Sequence, residues 1–175
     1  MKLVGFALFG IALLSQPAST TKKIQPVTRP PIKYFAERCE RCHGVLGENF
    51  GGTFAEKRSP KELIDVVRMM ANGPGGEPLS GSSFDALVAL HRAIQRHQPF
   101  LVWTQQNGKV LKGEATPGST LTATAKGKPL AIKFTGSEWA LKSGAATPAQ
   151  VTIKAKFRSA MTTLNLGSAA FSHSK

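Results

Sequence analysis

The pattern of apolar residues changes its period near Pro99, and this change constrains the fold more than any other feature of the 175-residue chain. Up to residue 98, apolar residues recur every three or four positions, as on one face of an amphipathic helix. From residue 101, they alternate with polar residues in short runs between turns rich in glycine and proline. We therefore expect a multidomain chain, with a small all-α domain at 34–98 followed by an all-β sandwich at 101–175.

Three segments before Pro99 are expected to be helical. The first, at 33–44, ends at Gly44, a residue type that commonly terminates helices. The second, at 59–73, begins with Ser59 as its N-cap, and Glu62 three residues later completes a capping box. The third spans 82–97. Apolar residues at helical spacing supply the expected core positions of the last two, which are Leu63, Val66, Val67, Met70, Phe84, Leu87, Val88 and Ile94.

Strands are expected where apolar and polar residues alternate after Pro99. The clearest runs are 130–134, with apolar residues at Leu130, Ile132 and Phe134, and 151–157, where lysines occupy the opposite face. Runs of this length at roughly ten-residue spacing are typical of an antiparallel sandwich with one polar face on each sheet.

The first 19 residues have the composition of a secretory signal peptide. Lys2 precedes an apolar run from Leu3 to Leu14, which is shorter than the roughly 20 residues that a membrane-spanning helix needs. Residues 20–33 contain three prolines and predict an extended lead into the first helix. We expect a mature chain without a membrane span, located in a bacterial periplasm or secreted.

The chain has two cysteines, Cys39 and Cys42, and His43 follows directly. This C-x-x-C-H spacing allows three kinds of site. A redox-active dithiol of the thioredoxin type needs a strand before the motif, and none is predicted there. A structural zinc ion needs four ligands, and the other histidines are not spaced as a partner pair. Covalent haem attachment fits best, because both thiols would lie on one helical turn with His43 placed to reach the iron as proximal ligand.

With that motif, residues 34–94, roughly a third of the chain, resemble a class I monohaem cytochrome c. CERCHG matches the family's attachment motif, and the segments SPKELIDVVRMMANG and PLSGSSFDALVALHRAI are similar to its middle and closing helices. The resemblance implies an all-α haem domain that transfers single electrons. It implies one covalent haem c, with thioethers to Cys39 and Cys42 and with His43 as an axial ligand of the iron.

The chain departs from that family at the sixth position of the iron. The family's methionine, usually followed by proline, corresponds here to Glu77, and a hard oxygen ligand suits this iron poorly. The candidate for the sixth ligand is therefore Met69 or Met70, at the end of the preceding helix. His91, expected at the edge of the closing helix, and His97, at its end, are alternatives. A further alternative is an iron with no strong protein ligand on this side.

Residues 108–171 resemble bacterial immunoglobulin-like domains, in the run GEATPGSTLTATA and in Trp139 on a later strand. This resemblance implies a fold and points to no catalytic residues. The chain carries a net charge of +13, and most of the excess lies in this half, where Glu114 and Glu138 are the acidic residues. Its lysines fit either a solvated sheet face or a docking surface.

Two functions fit these features. One is an exported electron-transfer cytochrome, acting as a free carrier or as the cytochrome subunit of a periplasmic dehydrogenase rather than as a stand-alone enzyme. The other is a haem protein that binds a small ligand at an open sixth iron position, as a sensor or an enzyme. The charge predicts an acidic redox partner, a dehydrogenase or an oxidase, steered by Arg38, Arg41 and Lys57. No nucleic-acid partner is expected, because aromatic residues are not interleaved with the basic ones.

Overall fold

The computed structural model describes residues 23–50 and 58–173, so the predicted signal peptide at 1–19 lies outside the described residues. Helices precede strands along the chain, as expected. The helices are α1 Pro31–Arg38, α2 Glu40–His43, α3 Pro60–Asn72 and α4 Gly81–Gln95. The strands are β1 Leu101–Asn107, β2 Val110–Ala115, β3 Thr120–Ala125, β4 Lys128–Leu130, β5 Ile132–Thr135, β6 Glu138–Lys142, β7 Val151–Phe157 and β8 Ala160–Asn165. Within the described ranges, none of the helices combines the length and the apolar character that crossing a membrane requires.

The capping box of α3 is confirmed. The Glu62 backbone N–H donates to the Ser59 hydroxyl at 3.3 Å, and the Ser59 N–H donates to the Glu62 carboxylate at 2.7 Å. The first predicted helix begins earlier than expected, at Pro31, whose fixed φ suits a first helical position, and it is interrupted at Cys39. The separate short helix α2 then ends at His43, with Gly44 as its C-cap, as predicted.

The eight strands form two antiparallel four-stranded sheets that pack on one core. The strand orders are β1-β2-β6-β5 and β4-β3-β7-β8. Trp103 and Trp139 from the first sheet and Ile153 from the second are fully buried in the same cluster. The alternation in β7 is confirmed, with Val151, Ile153 and Ala155 buried, Thr152 half-buried, and Lys154 and Lys156 exposed.

The run 130–134 does not form one strand. Leu130 ends β4 in the second sheet, whereas Ile132 begins β5 in the first, so the chain crosses between the sheets at Ala131. Alternating apolar residues indicate which side chains face inward, but both sheets of a sandwich share that inward direction. The pattern therefore could not indicate the change of sheet.

The helices and the sandwich also share a core across the predicted boundary. Phe100 and Val102 are fully buried among helical residues, and Ala170 joins the same cluster from beyond β8. The lead segment contributes Val27, which is fully buried and whose N–H donates to the Trp103 carbonyl at 2.9 Å. The domain bounds at 34–98 and 101–175 stay a prediction, and residues on both sides of them pack together.

A carboxylate from the sandwich caps the first helix. The Ile32 and Lys33 N–H groups donate to the two oxygens of Glu114, on β2, at 2.8 and 2.9 Å. The helix has no side-chain cap of its own, because proline occupies both its N-cap and its first position. Glu114 therefore satisfies N–H groups that the helix leaves unpaired, and its negative charge lies at the positive end of the helix dipole.

The pH dependence of stability tests this cap. Burial raises the pKa of the Glu114 carboxyl to about 6, against the opposing hydrogen bonds from Ile32 and Lys33. Because the folded pKa exceeds the unfolded one, the stability linked to this group is complete below about pH 4.5 and is lost as the pH rises to about 6. We expect a loss of up to about 2 kcal/mol in the free energy of unfolding, at about 1.4 kcal/mol per pKa unit.

Urea unfolding between pH 4 and 7 measures this effect. Glu114→Gln has no carboxyl to titrate, so its free energy of unfolding should lack the fall that the unmodified protein shows between pH 4.5 and 6. Glu138→Gln, an exposed neighbour on the paired strand β6, is the matched control and should keep most of the fall. Identical pH profiles for the unmodified protein and Glu114→Gln would contradict the assignment.

Candidate functional site

The two cysteines and His43 lie on one turn at the junction of α1 and α2. The Cys39 N–H donates to the Phe35 carbonyl at 2.8 Å and closes α1, while the Cys39 carbonyl accepts from the Cys42 and His43 N–H groups at 3.1 and 3.0 Å. Cys39 is half-buried and Cys42 is exposed. The turn thus presents one thiol toward the protein interior and one toward its surface.

The environment of Cys39 argues against a redox-active dithiol. Burial raises the pKa of the Cys39 thiol to about 11, and the neighbouring Cys42 adds to the rise. Reactive cysteines show the opposite shift, because the thiolate is the nucleophile. The motif also follows a helix, whereas a thioredoxin-like site would follow a strand.

A structural zinc site has no support in the described residues. Among them, no group of three or more histidine, cysteine, aspartate or glutamate side chains is placed to hold a metal ion. A structural zinc ion has four protein ligands, so Cys39, Cys42 and His43 would lack a fourth.

An apolar cavity of about 70 Å³ lies beside the motif, between all four helices. This volume is below the roughly 300–1000 Å³ that is usual for small-molecule and cofactor sites. Residues that could bind or attach a cofactor line it on three sides. They are Cys39 and His43 at the motif, Met70 on α3 and His91 on α4. The other lining residues are Tyr34, Phe50, Val66, Val67, Ala71 and Leu87.

The four candidate sixth ligands have different positions. Met69 is 61% exposed, and His97 is exposed beyond the end of α4. Met70 is half-buried and lines the cavity, as does His91. The expectation that His91 lies at a solvated helix edge was wrong, because it is only 8% exposed. Its position four residues after Leu87, on the apolar face of α4, was the signal that could have shown this.

His91 is held as a neutral imidazole. Its Nδ1 lies 2.8 Å from the Leu87 carbonyl oxygen. A carbonyl can only accept, so Nδ1 carries the proton and Nε2 keeps its lone pair. Burial lowers the pKa of His91 to about 4, despite that hydrogen bond. Phe35 and Phe50 pack against the imidazole with ring centroids 5.6 and 5.9 Å away.

Glu77, which the resemblance in the sequence had aligned with a methionine, forms ion pairs with two arginines. Its carboxylate accepts from Arg29 at 2.9 and 3.0 Å and from Arg38 at 3.0 Å, and these hydrogen bonds hold its pKa below the usual value. Its backbone carbonyl accepts from the Tyr34 hydroxyl at 2.7 Å. Glu77 therefore joins the lead segment, α1 and the loop before α4.

Of the residues expected to steer a partner, Arg41 is exposed and Lys57 lies outside the described residues.

Comparison with known proteins finds no matching family model, no matching curated protein and no matching solved structure. The described residues also contain no cluster of metal-holding side chains. On that finding, the assignment to a class I monohaem cytochrome c followed by a bacterial immunoglobulin-like domain is wrong. The similarity outside the motif consisted of amphipathic helices and a turn pattern, which many unrelated proteins share.

Alkylation of the free thiols tests the geometry of the motif. In the haem-free chain at pH 8, we expect iodoacetamide to modify Cys42 at least about tenfold faster than Cys39, because a thiol with a pKa of about 11 is roughly one-thousandth ionised there. Cleavage after Arg41 separates the two cysteines for mass spectrometry. In 8 M urea the two rates should converge. Faster modification of Cys39 in the folded chain would contradict the described burial.

Proposed function

We propose that this chain carries one haem c, attached through thioethers to Cys39 and Cys42 with His43 as the proximal iron ligand, and that it transfers single electrons. The observation that carries the proposal is the single turn that holds both thiols and His43, with Cys39 and His43 lining an apolar cavity. The proposal rests on the motif and its surroundings and not on membership of a family.

The residues present fit a covalently attached haem. Each thiol would add its S–H across one vinyl group, forming a C–S bond and placing the hydrogen on the neighbouring carbon, so that no oxidant is needed. Both cysteines would hold the vinyl-bearing side of the haem, Cys39 from a half-buried position and Cys42 from an exposed one. When bound, the haem supplies a one-electron iron couple.

The chain's own part is to shield the site and set its polarity. Val66, Val67 and Leu87 would exclude water from most of the cavity, while the exposed turn at Cys42 would leave one edge near the surface. Because the cavity holds only about 70 Å³, most of an attached haem would lie toward the surface, which favours electron transfer there over binding of a large substrate inside.

The setting proposed for this activity is the bacterial periplasm or the outside of the cell. The signal-like first 19 residues and the net charge of +13 support an exported protein that meets an acidic redox partner, as a carrier or as a subunit of a periplasmic dehydrogenase. For the β part, we propose an immunoglobulin-like sandwich as an architecture, without family membership. If the strands are lettered in chain order with β4 as C′, the sheets read ABED and C′CFG.

Covalent attachment is tested on the full chain, exported in a bacterium that matures c-type haem proteins. We expect haem to remain on the chain through denaturing electrophoresis and acid–acetone extraction, because a C–S bond survives both. The double variant Cys39→Ala/Cys42→Ala should be exported without colour, and His97→Ala, which alters an exposed histidine, should keep its haem. Haem that is extracted from the unmodified protein, or no haem at all, would contradict the proposal.

Electron transfer at a positive surface is tested by the salt dependence of oxidation. For the reduced protein, oxidation by the anion ferricyanide should slow as ionic strength rises, because salt screens attraction over a Debye length of about 8–10 Å. Oxidation by the cation tris(phenanthroline)cobalt(III) should accelerate. Stopped-flow absorbance measures both rates. Arg41→Gln, beside the motif, should reduce the ferricyanide rate at low salt more than Lys126→Gln in the β3–β4 turn. Rates that are flat with salt for both oxidants would contradict steering.

A further inference from the structure

We infer that His91 is the second axial ligand of the haem iron, so that two imidazoles, from His43 and His91, hold the iron between them. This inference rests on the proposed function. It replaces the expectation of Met69 or Met70 at that position.

The position of His91 brings it to the same space as the attachment motif. It projects from α4 into the cavity that Cys39 and His43 also line. The His43 and Phe50 ring centroids lie 4.6 Å apart, and those of Phe50 and His91 lie 5.9 Å apart. The two imidazoles therefore border one volume from two helices, with the aromatic ring of Phe50 against both.

The hydrogen bond of His91 is of the kind that metal-binding histidines make. Histidines that bind metals usually donate their other ring N–H to a carbonyl or carboxylate, which fixes the ring's orientation and tautomer. The Nδ1–H of His91 donates to the Leu87 carbonyl one turn earlier in α4. In the described part of the chain this is the ring's one hydrogen bond, and it leaves the Nε2 lone pair for a metal.

The surroundings of His91 are apolar. Phe35 and Phe50 pack against the imidazole, and Leu87 lies one turn before it in α4. Imidazole is a ligand that suits iron well.

The methionines are weaker candidates. Met69 is 61% exposed, which directs most of its side chain to solvent. Met70 lines the cavity from the last turn of α3, but it is half-buried and its unbranched side chain has no hydrogen bond to fix it. The hydrogen bond to Leu87 therefore fixes the orientation of the His91 ring in the haem-free chain, whereas no such bond fixes Met70.

The test uses the full chain with its haem attached. In the ferric protein, near-infrared magnetic circular dichroism distinguishes two nitrogen ligands from a nitrogen and a sulfur ligand, and pulsed electron paramagnetic resonance detects the nitrogens of each axial imidazole. We expect low-spin iron with two imidazoles. His91→Ala should become high-spin in the ferric state and bind carbon monoxide at least tenfold faster in the ferrous state, and added imidazole should restore the low-spin spectrum. Met70→Leu, which alters the same cavity, should leave the unmodified spectrum unchanged.

The outcomes separate the two proposals. A sulfur–iron signature that Met70→Leu abolishes would overturn the role of His91 and leave covalent haem intact, as would high-spin iron in the unmodified protein. A chain without covalent haem would overturn both. Because the resonance measurement is made on the unmodified protein, it decides the question even if His91→Ala fails to fold.

Discussion

The hydrogen bonds from the first turn of α1 to Glu114 are the contact on which the geometry of this protein depends. An isolated helix shorter than about 12–15 residues is marginal in water, and α1 has only 8 residues and no cap of its own. Its order must come from tertiary contacts. Glu114 supplies them at the N-terminal end, from the centre of a sheet whose neighbouring strands β1 and β6 hold β2 in place.

The C-terminal end of α1 is fixed by different means. Glu77 binds Arg29 in the lead segment and Arg38 in the last turn of the helix, and its carbonyl accepts from Tyr34. These ion pairs are partly exposed and are worth little individually, but they converge on one carboxylate and on one helix. Cys39 follows directly, so the attachment turn is positioned from the sandwich at one end of the helix and from the loop before α4 at the other.

Features that depend on neighbouring residues were predictable from the sequence. The capping box of Ser59 and Glu62 and the alternation in β7 were confirmed, because each arises within one element. The features that were missed depend on distant parts of the chain. Glu114 lies 82 positions from Ile32, and its role in capping α1 leaves no local trace. The change of sheet at Ala131 and the burial of His91 likewise depend on which distant elements pack against those residues. The family assignment failed because a short motif was extended by generic helical patterns.

A carboxylate at position 114 costs free energy because its charge is buried, but its two oxygens fix the position of α1. Burial raises the pKa of Glu114 to about 6, so near neutral pH the protein keeps a charge that its surroundings disfavour. An amide at that position would bury no charge, but it has one accepting oxygen. The carboxylate has two, and each accepts from a different residue of the first turn. Contact at two points fixes the rotation of α1 about its axis as well as its position. That rotation determines which side of the turn at Cys39 faces the cavity, and so whether His43 and His91 can border the same space.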